Sequence, residues 1–485
     1  MKRLAGLLLV LACAPRGLAD DEASRLTAAL LGETPVLRDL RDLTDGIGGR
    51  PTGSEANRRA VEWGLQRFRE AGVDARSEAF PMPLLWLDKG STVQIAGDAA
   101  FTPRVVANPF SASTPSAGTT GPLLRAGAGQ AADFERLGRA VEGAFVLVAT
   151  QELVDLAGLF REYVEGAAIE ARARAAGARG LVWMASRPHG LLYRHNSALG
   201  PANRLVIVTM AREEALRAER LLESGKRLSL TAAVAVEGGK PYNAENVIAE
   251  IRGEEKPEEV VIVGAHLDSW DLGTGALDNG CNVAMLIDVA RQMKRLGLRP
   301  RRSVRFALWN GEEQGLNGSW EYVKAHRTEL DAHVMAASFD IGTGRITGFF
   351  TNGRSDVLPT LEAALLPVAG LGPFVHATDA MTGTDHYDFL VEGVAALVAN
   401  QESANYGPNY HAASDTFDKV DARQLKTNAA VAAAIIWGFA NADVTWGRLS
   451  GSEVERIVET TSLKAEMQAF GLYADYRAGK RGRLP

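Results

Sequence analysis

In the second half of the chain, histidine and carboxylate side chains follow apolar runs that are typical of buried strands. His266 and Asp268 come directly after one such run, and the adjacent pair Glu312 and Glu313 comes shortly after another. Three further residues of the same types are Asp278, Asp340 and His411. A mixture of imidazole nitrogen and carboxylate oxygen ligands suits zinc. The pattern therefore indicates a metal-dependent hydrolase.

Two metal ions could be held by this set of residues. With one bridging carboxylate, each ion keeps one histidine and one carboxylate of its own, and the two ions share a water molecule. Ions about 3.5 Å apart acidify that water and stabilise both oxygens of a tetrahedral intermediate. A further carboxylate must then move the water's proton to the leaving amine. Glu312 and Glu313 can divide the roles of ligand and base, because consecutive residues leaving a strand point in opposite directions.

The elements around these residues alternate between strands and helices. From about residue 246, the pattern predicts strands at 247–251, 260–264, 304–309, 334–341 and 394–399, and helices at 282–296, 319–326, 358–368 and 423–439. Such alternation predicts an α/β fold with a mostly parallel sheet and helices on both faces. In open sheets of this kind, ligands bind outside the carboxyl ends of the strands, which is where the candidate residues lie.

The chain has 485 residues, too many for a single core. A Gly-, Ser- and Thr-rich passage at residues 111–121 marks a boundary, and the stretch after it has strands and helices of its own. The predicted organisation is a signal peptide at 1–19, an N-terminal part of the catalytic domain at 20–116, an inserted domain at 117–239, the catalytic domain at 240–448 and a C-terminal tail at 449–485. No chemistry is assigned to the tail.

The N-terminus is typical of a cleavable signal peptide. A charged start is followed by an apolar run at residues 4–14 and a small-x-small site at residues 17–19. We therefore expect an exported protein, periplasmic or secreted, with a lipoprotein attached through Cys13 as the minor alternative. No segment is long and apolar enough to span a membrane. The net charge of -6 argues against nucleic acid as the main partner.

Three segments resemble the signatures of the co-catalytic zinc exopeptidases. They are residues 264–271 (GAHLDSWD), residues 308–315 (LWNGEEQG) and residues 410–416 (YHAASDT). The spacing from His266 to Asp278 and the sequence GLRP at residues 297–300 favour the carboxypeptidase Q branch. This resemblance implies a zinc exopeptidase fold whose inserted segment is a protease-associated domain.

The resemblance also implies roles for individual residues. Two Zn²⁺ ions would be bridged by Asp278, with His266 and Asp340 completing one site and Glu313 and His411 completing the other.

Further residues take supporting roles by the same resemblance. Glu312 would be the general base, and Asp268 would orient His266 through its second ring nitrogen. A cis peptide bond is implied between Asp278 and Asn279. His386 lies in a loop that faces the substrate in relatives, and it is a candidate catalytic hydrogen-bond donor.

The expected function is an exported exopeptidase that hydrolyses dipeptides or terminal residues of peptides through a metal-bound hydroxide. The resemblance also allows a homodimer. Three alternatives keep the same scaffold: an aminopeptidase of the same family, a single-zinc glutaminyl cyclase and a non-catalytic binding protein. A serine hydrolase is disfavoured, because the chain contains no Gly-x-Ser-x-Gly motif.

Overall fold

A computed structural model describes residues 17–195 and 200–485 of the chain. The predicted signal peptide and Cys13 lie outside the described residues, except for residues 17–19, which begin the first helix. Within the described ranges, no helix is both long enough and apolar enough to cross a membrane.

The secondary structure alternates as predicted over most of the second half of the chain, and strands additional to the predicted ones occur in both halves. The helices are α1 (Gly17–Leu31), α2 (Val36–Thr44), α3 (Glu55–Glu70), α4 (Ala131–Leu137), α5 (Leu156–Ala175), α6 (Arg212–Glu223), α7 (Cys281–Arg295), α8 (Asn317–Ala325), α9 (Leu358–Ala364), α10 (His386–Val391), α11 (Tyr406–Asn409), α12 (Ala422–Asn441), α13 (Gly451–Thr460), α14 (Leu463–Ala469) and α15 (Tyr473–Arg477). The strands are β1 (Asp74–Met82), β2 (Trp86–Gly97), β3 (Val105–Ala107), β4 (Thr119–Arg125), β5 (Phe145–Val148), β6 (Gly180–Met184), β7 (Val206–Met210), β8 (Leu228–Gly238), β9 (Tyr242–Ile251), β10 (Lys256–His266), β11 (Arg302–Trp309), β12 (His333–Ser338), β13 (Ile346–Phe350) and β14 (Ala396–Gln401).

The first sheet has the strand order β1-β9-β11-β10-β12-β14-β13. Its strands β11, β10, β12 and β14 run parallel, whereas β1, β9 and β13 pair antiparallel with their neighbours. The predicted mostly parallel sheet is therefore corrected to a mixed one. Parallel neighbours need a crossover connection. No α-helix lies between β9 and β10 or between β12 and β13, so the chain reverses direction there.

Helices cover both faces of this sheet, as predicted. On one face, α1, α2, α3, α7 and α12 pack around a large apolar core that contains Val263, Leu286 and Ile435. On the other face, α8 and α10 contribute Tyr322 and Phe389 to a smaller core. Complete burial of each such side chain stabilises the fold by about 1.5–3 kcal/mol.

The second sheet has the order β2-β8-β4-β5-β6-β7-β3 and is formed between Trp86 and Gly238. We call residues 86–238 the second unit. Its strands β2 and β3 precede residue 117, so the sheet extends beyond the predicted inserted segment on the N-terminal side. Much of the Gly-, Ser- and Thr-rich passage that suggested the boundary is the loop between β3 and β4, inside this unit.

The C-terminal segment, residues 449–485, folds into α13, α14 and α15. Its apolar side chains, including Met467, are buried against Tyr387 in a cluster of their own. Arg481 forms a buried ion pair with Asp388 at 2.7 Å. The segment is therefore packed onto the half of the molecule that carries the first sheet.

Candidate metal centre

The carboxyl ends of the four parallel strands meet at one edge of the first sheet and carry the predicted site residues. β10 ends at His266, β11 leads into Glu312 and Glu313, and β12 leads into Asp340. His411 lies in the loop that follows β14 and α11. The strand order thus brings together residues that are far apart in the sequence.

The five predicted metal ligands form two groups around Asp278. His266 Nε2 lies 3.0 Å from Asp278 Oδ1 and 2.9 Å from Asp340 Oδ1. His411 Nε2 lies 3.3 Å from Asp278 Oδ2 and 2.8 Å from Glu313 Oε2. All five residues are buried. Each oxygen of Asp278 therefore faces a different pair of one histidine and one carboxylate.

A backbone carbonyl orients each histidine ring from the side away from the carboxylates. His266 Nδ1 lies 2.9 Å from the carbonyl oxygen of Asp268, and His411 Nδ1 lies 3.0 Å from that of Arg194. Because a carbonyl only accepts, each Nδ1 carries the hydrogen, and Nε2 of a neutral ring presents its lone pair to the carboxylates. Two acceptors at this distance repel each other unless a proton or a cation lies between them. Metal-binding histidines are held in this way.

The carboxylate of Asp268 has a different partner from the one expected. Its nearest oxygen, Oδ1, is 3.7 Å from His266 Nδ1, so the carbonyl of the same residue makes the orienting contact. Asp268 Oδ2 accepts hydrogen bonds from Thr52 Oγ1 at 2.7 Å and from the backbone N–H of Gly311 at 3.0 Å. Asp268 therefore also ties the loop after β11 to the loop after β10.

The electrostatics of the cluster favour bound cations. Burial raises the pKa of Glu313 well above its usual range, and the neighbouring Asp278 raises it further. Burial lowers the pKa of His411 to about 4, so this ring is neutral near pH 7. For His266, burial acts in the same direction, but Asp340 and the other neighbouring carboxylates together outweigh it and raise the pKa. Crowded, buried carboxylates with too little positive charge are stabilised by divalent ions, and this donor set fits zinc.

Asp415 and Arg50 hold the turn that presents Asp278. The Asp415 carboxylate accepts hydrogen bonds from the backbone N–H groups of residues 276, 277 and 278, at 3.1, 2.7 and 3.2 Å. Arg50 donates to the carbonyls of the two residues before them, at 2.8 and 3.0 Å. The bond between Asp278 and Asn279 is cis, as the resemblance implied. Asp415 lies in the third motif segment and Arg50 lies outside all three, and the motifs indicated no role for either residue.

Glu312 faces the space beside the cluster. Together with Glu313 it lines a cavity of about 370 Å³ that runs between the two units. Burial raises the pKa of the Glu312 carboxyl well above its usual range. Its position allows this carboxyl group to exchange a proton with a molecule in the cavity.

The structure does not bring His386 to the cluster. Its Nε2 donates to the carbonyl oxygen of Met381 at 3.0 Å, and the ring lies near Trp309 and Phe389 on one face of the first sheet. The residue is 1% exposed, and burial lowers its pKa to about 3. We therefore assign His386 to the packing of α10 rather than to the catalytic cavity.

The residue before it, Asp385, is also buried, and its pKa is affected by residues of the cluster. Burial raises the pKa of Asp385 well above its usual range; His266 lowers it and Asp340 raises it. The resemblance indicated the loop around His386 and assigned the role to the histidine. Adjacent side chains in a turn point in different directions, and the amino-acid sequence alone does not show which direction each of them takes.

His411 is held by contacts that cross from the second unit. It has a φ of 55°, in the left-handed region that side chains other than glycine rarely adopt. The backbone N–H of Arg194 donates to the carbonyl of His411 at 3.0 Å, and Tyr193 and Ala412 form an isolated antiparallel bridge. The ring of Tyr410 stacks on that of His411 at 3.6 Å. Residues 193 and 194 were not among the sequence candidates.

An α/β sheet with two buried histidines and three buried carboxylates at its strand ends defines a metal-dependent hydrolase. Comparison with known proteins makes this class specific. Residues 246–436, which contain all five candidate ligands, match the model of Peptidase family M28, so the part of the chain that carries the metal centre is a peptidase region of that family. The resemblance to zinc exopeptidases is thus confirmed.

Individual relatives extend the similarity beyond those residues. Carboxypeptidase Q of Bos taurus is 27% identical over 400 residues, which cover 81% of this chain and 82% of the relative. A peptidase M28 precursor from Shewanella amazonensis superimposes with a TM-score of 0.80 at 25% identity, over 88% of this chain and 98% of that chain. BSAP, a zinc aminopeptidase from Bacillus subtilis, has the same fold, with a TM-score of 0.66 at 20% identity over 85% of this chain and 95% of that chain.

Proposed function

We propose that the protein is an exported exopeptidase that uses two zinc ions to hydrolyse dipeptides or the terminal residue of peptides. The observation that carries this proposal is Asp278, whose two oxygens face two separate pairs of histidine and carboxylate. Asp278, His266 and Asp340 would hold one ion, and Asp278, His411 and Glu313 the other. When bound, the two ions would acidify a water molecule and stabilise negative charge on the substrate.

Glu312 is the proposed general base. Its carboxyl lines the cavity next to Glu313, and a raised pKa suits a group that must both accept and return a proton. Glu312 would take the proton of the attacking water and pass it to the leaving amine. His386 is left out of this scheme, because its donor nitrogen is bound to Met381.

The test combines metal analysis with hydrolysis. We expect two zinc ions per chain and chelator-sensitive cleavage of free dipeptides, compared with an N-blocked dipeptide and an aminoacyl anilide. Glu312→Gln should keep both ions while turnover falls at least ~100-fold. Glu258→Gln, at an exposed position at the start of β10, is the matched control and should behave like the wild type.

Other outcomes of these assays would favour different functions. Near-normal turnover in Glu312→Gln would exclude that residue as the base. Cleavage of the anilide but not of free dipeptides would favour the aminopeptidase, as in the named Bacillus relative. One zinc per chain with cyclisation of N-terminal glutamine would favour the glutaminyl cyclase. Zinc binding without any hydrolysis would favour a binding protein.

The proposal also covers export of the protein, the identity of the inserted domain and the oligomeric state. N-terminal sequencing of the mature protein should find residues 1–19 removed, or Cys13 modified if the protein is a lipoprotein. The second unit is the proposed protease-associated domain. Sedimentation analysis would decide whether the chain forms a homodimer.

A further inference from the structure

The cavity beside Glu312 and Glu313 has walls from three parts of the chain. The first sheet's half contributes Leu316 and Trp320, the second unit contributes Phe110 and Tyr163, and the C-terminal segment contributes Phe470 and Leu472. A volume of about 370 Å³ is at the small end of ligand pockets and fits a dipeptide or the end of a peptide. The C-terminal segment, which has no motif, therefore faces the place where the substrate would bind.

The C-terminal segment is fixed in this position from both ends. Arg481 Nε and Nη2 donate to the two carboxylate oxygens of Asp388 at 2.7 and 2.9 Å, and both residues are buried. Glu466 Oε2 accepts from the backbone N–H and the hydroxyl of Thr382 at 2.9 and 3.2 Å. Thr382 lies in the loop that leads to Asp385. The wall is thus held in place by hydrogen bonds as well as by its apolar cluster.

A line of aromatic rings connects this wall to the metal centre. The rings of Phe470 and Tyr163 are 5.3 Å apart and tilted by 41°. The hydroxyl groups of Tyr163 and Tyr410 lie 2.9 Å apart, and Tyr410 stacks on His411. Phe470 therefore lies at the outer end of an aromatic surface that begins at a proposed metal ligand.

The charge on the cavity wall disfavours an acidic substrate side chain, because Glu312, Glu313 and Asp475 also line it. Among the described lining residues, Arg481 is the only basic one. Its guanidinium is already bound to Asp388 and to the carbonyls of Gly315 and Leu316, at 3.2 and 3.3 Å. An acidic side chain would find no free cation there, whereas an apolar one would exchange water for aromatic surface.

We propose that Phe470, together with Tyr163, forms a subsite for an apolar side chain next to the scissile bond, so that the C-terminal segment determines substrate specificity. This inference rests on the proposed peptidase function. It names the class of substrate that the site prefers: short peptides with a large apolar residue at the cleaved bond.

The experiment compares Phe470→Ala with Tyr473→Ala. Tyr473 packs against the same apolar cluster three residues later but does not line the cavity, so it is the matched control. The substrates are Leu-Gly, Gly-Leu, Phe-Gly, Gly-Phe and Gly-Gly. In Phe470→Ala, kcat/KM should fall at least about tenfold either for Leu-Gly and Phe-Gly or for Gly-Leu and Gly-Phe, depending on which side of the cleaved bond the subsite holds. The change should be mainly in KM. For Gly-Gly in this variant, and for every substrate in Tyr473→Ala, kcat/KM should change less than about twofold.

A second variant and a binding measurement distinguish loss of the subsite from loss of folding. Phe470→Trp keeps an aromatic ring but fills the subsite, so it should discriminate against Phe-containing dipeptides and spare Gly-Gly. Calorimetry on the Glu312→Gln protein should show weaker binding of the preferred dipeptide when Phe470→Ala is added. An equal effect on every substrate, or the same effect from Tyr473→Ala, would overturn the inference. If the wild type hydrolyses none of the peptides, the proposed function fails instead.

Discussion

Replacing Asp271 by asparagine should weaken the contact through which the second unit orients His411. Arg194 Nε and Nη2 donate to the two carboxylate oxygens of Asp271, at 2.5 and 2.8 Å, and a further bond joins Nη2 to Asp88 at 3.1 Å. The Arg194 side chain is 2% exposed. The carbonyl of this same arginine accepts the hydrogen bond from His411. The ion pair therefore holds the backbone of Arg194 in place, and this backbone in turn orients the ring of His411.

The expected size of the effect follows from these contacts. A hydrogen bond to a charged group contributes about 1.5–3 kcal/mol to folding, and a neutral one about 0.5–1.5 kcal/mol. Asparagine can accept only one of these two bonds, because its amide nitrogen is a donor, and the bond that remains is weaker because the amide oxygen carries no full charge. The Asp271 side chain is 32% exposed, so solvent screens part of the interaction. We expect the free energy of unfolding to fall by about 2 kcal/mol and zinc affinity to fall by about 10–100-fold.

The assay is urea unfolding in the presence of a chelator, with zinc affinity measured separately by competition against a chromogenic chelator. Glu214→Gln is the control, since it removes the more exposed pair with Arg104 in the same unit, at 2.9 Å. That variant should lose less than about 1 kcal/mol and bind zinc normally. If Asp271→Asn is destabilised but binds zinc as tightly as the wild type, the argument that this pair orients His411 is refuted.

Two further predictions concern the metal and His386. Removing the metal with a chelator should lower the free energy of unfolding, by about 4 kcal/mol when free zinc had been a thousand times its Kd; thermal unfolding that is the same with and without chelator would contradict bound zinc. His386→Leu should keep zinc content and turnover near normal but lose about 1–3 kcal/mol of stability, because the Met381 carbonyl loses its donor. Burial lowers the pKa of His386 from 6.5 to about 3, so the unfolded chain binds an extra proton between these values. The stability difference between wild type and variant should therefore shrink as pH falls from 6.5, as measured by urea titrations at several pH values.

The sequence predicted the parts of the site that depend on strand ends. Runs such as residues 260–264 and 304–309 are apolar except for Arg305, because helices cover both faces of the central strands. Once these strands are taken as parallel neighbours, residues such as His266 and Glu313 must meet at one edge. His266, Glu313 and Asp340 come together for this reason, although the sheet is mixed at its edges.

Other strands were harder to predict from the sequence. β2 alternates buried and exposed positions only in part and forms an edge of the second sheet, while β4 contains Gly121 and Pro122. Both features weaken the local signal for a strand. β13 lies at the edge of the first sheet and has only five residues. The first half of the chain therefore contains more strand than its pattern indicates.

Contacts between distant segments gave no signal in the sequence. Arg194 and His411 are 217 positions apart in the sequence, and Tyr163 and Tyr410 are 247 positions apart. No periodicity connects such residues, and only the packing of the two units brings them together. The role proposed for His386 failed for a related reason, since the packing of α10 turns its ring towards Trp309 and Phe389, and no local pattern specifies that packing.

These long-range contacts have a consequence for the architecture of the site. The left-handed conformation of His411 is disfavoured for a side chain with a Cβ, so its surroundings must impose it. The backbone of Arg194 and the ring of Tyr410 make those contacts, and Tyr410 is in turn bonded to Tyr163. Arg194 and Tyr163 both belong to the second unit. A chain shortened to the first sheet and its helices would keep every proposed zinc ligand but lose the groups that orient one of them. The second unit is therefore part of the metal centre as well as a wall of the cavity.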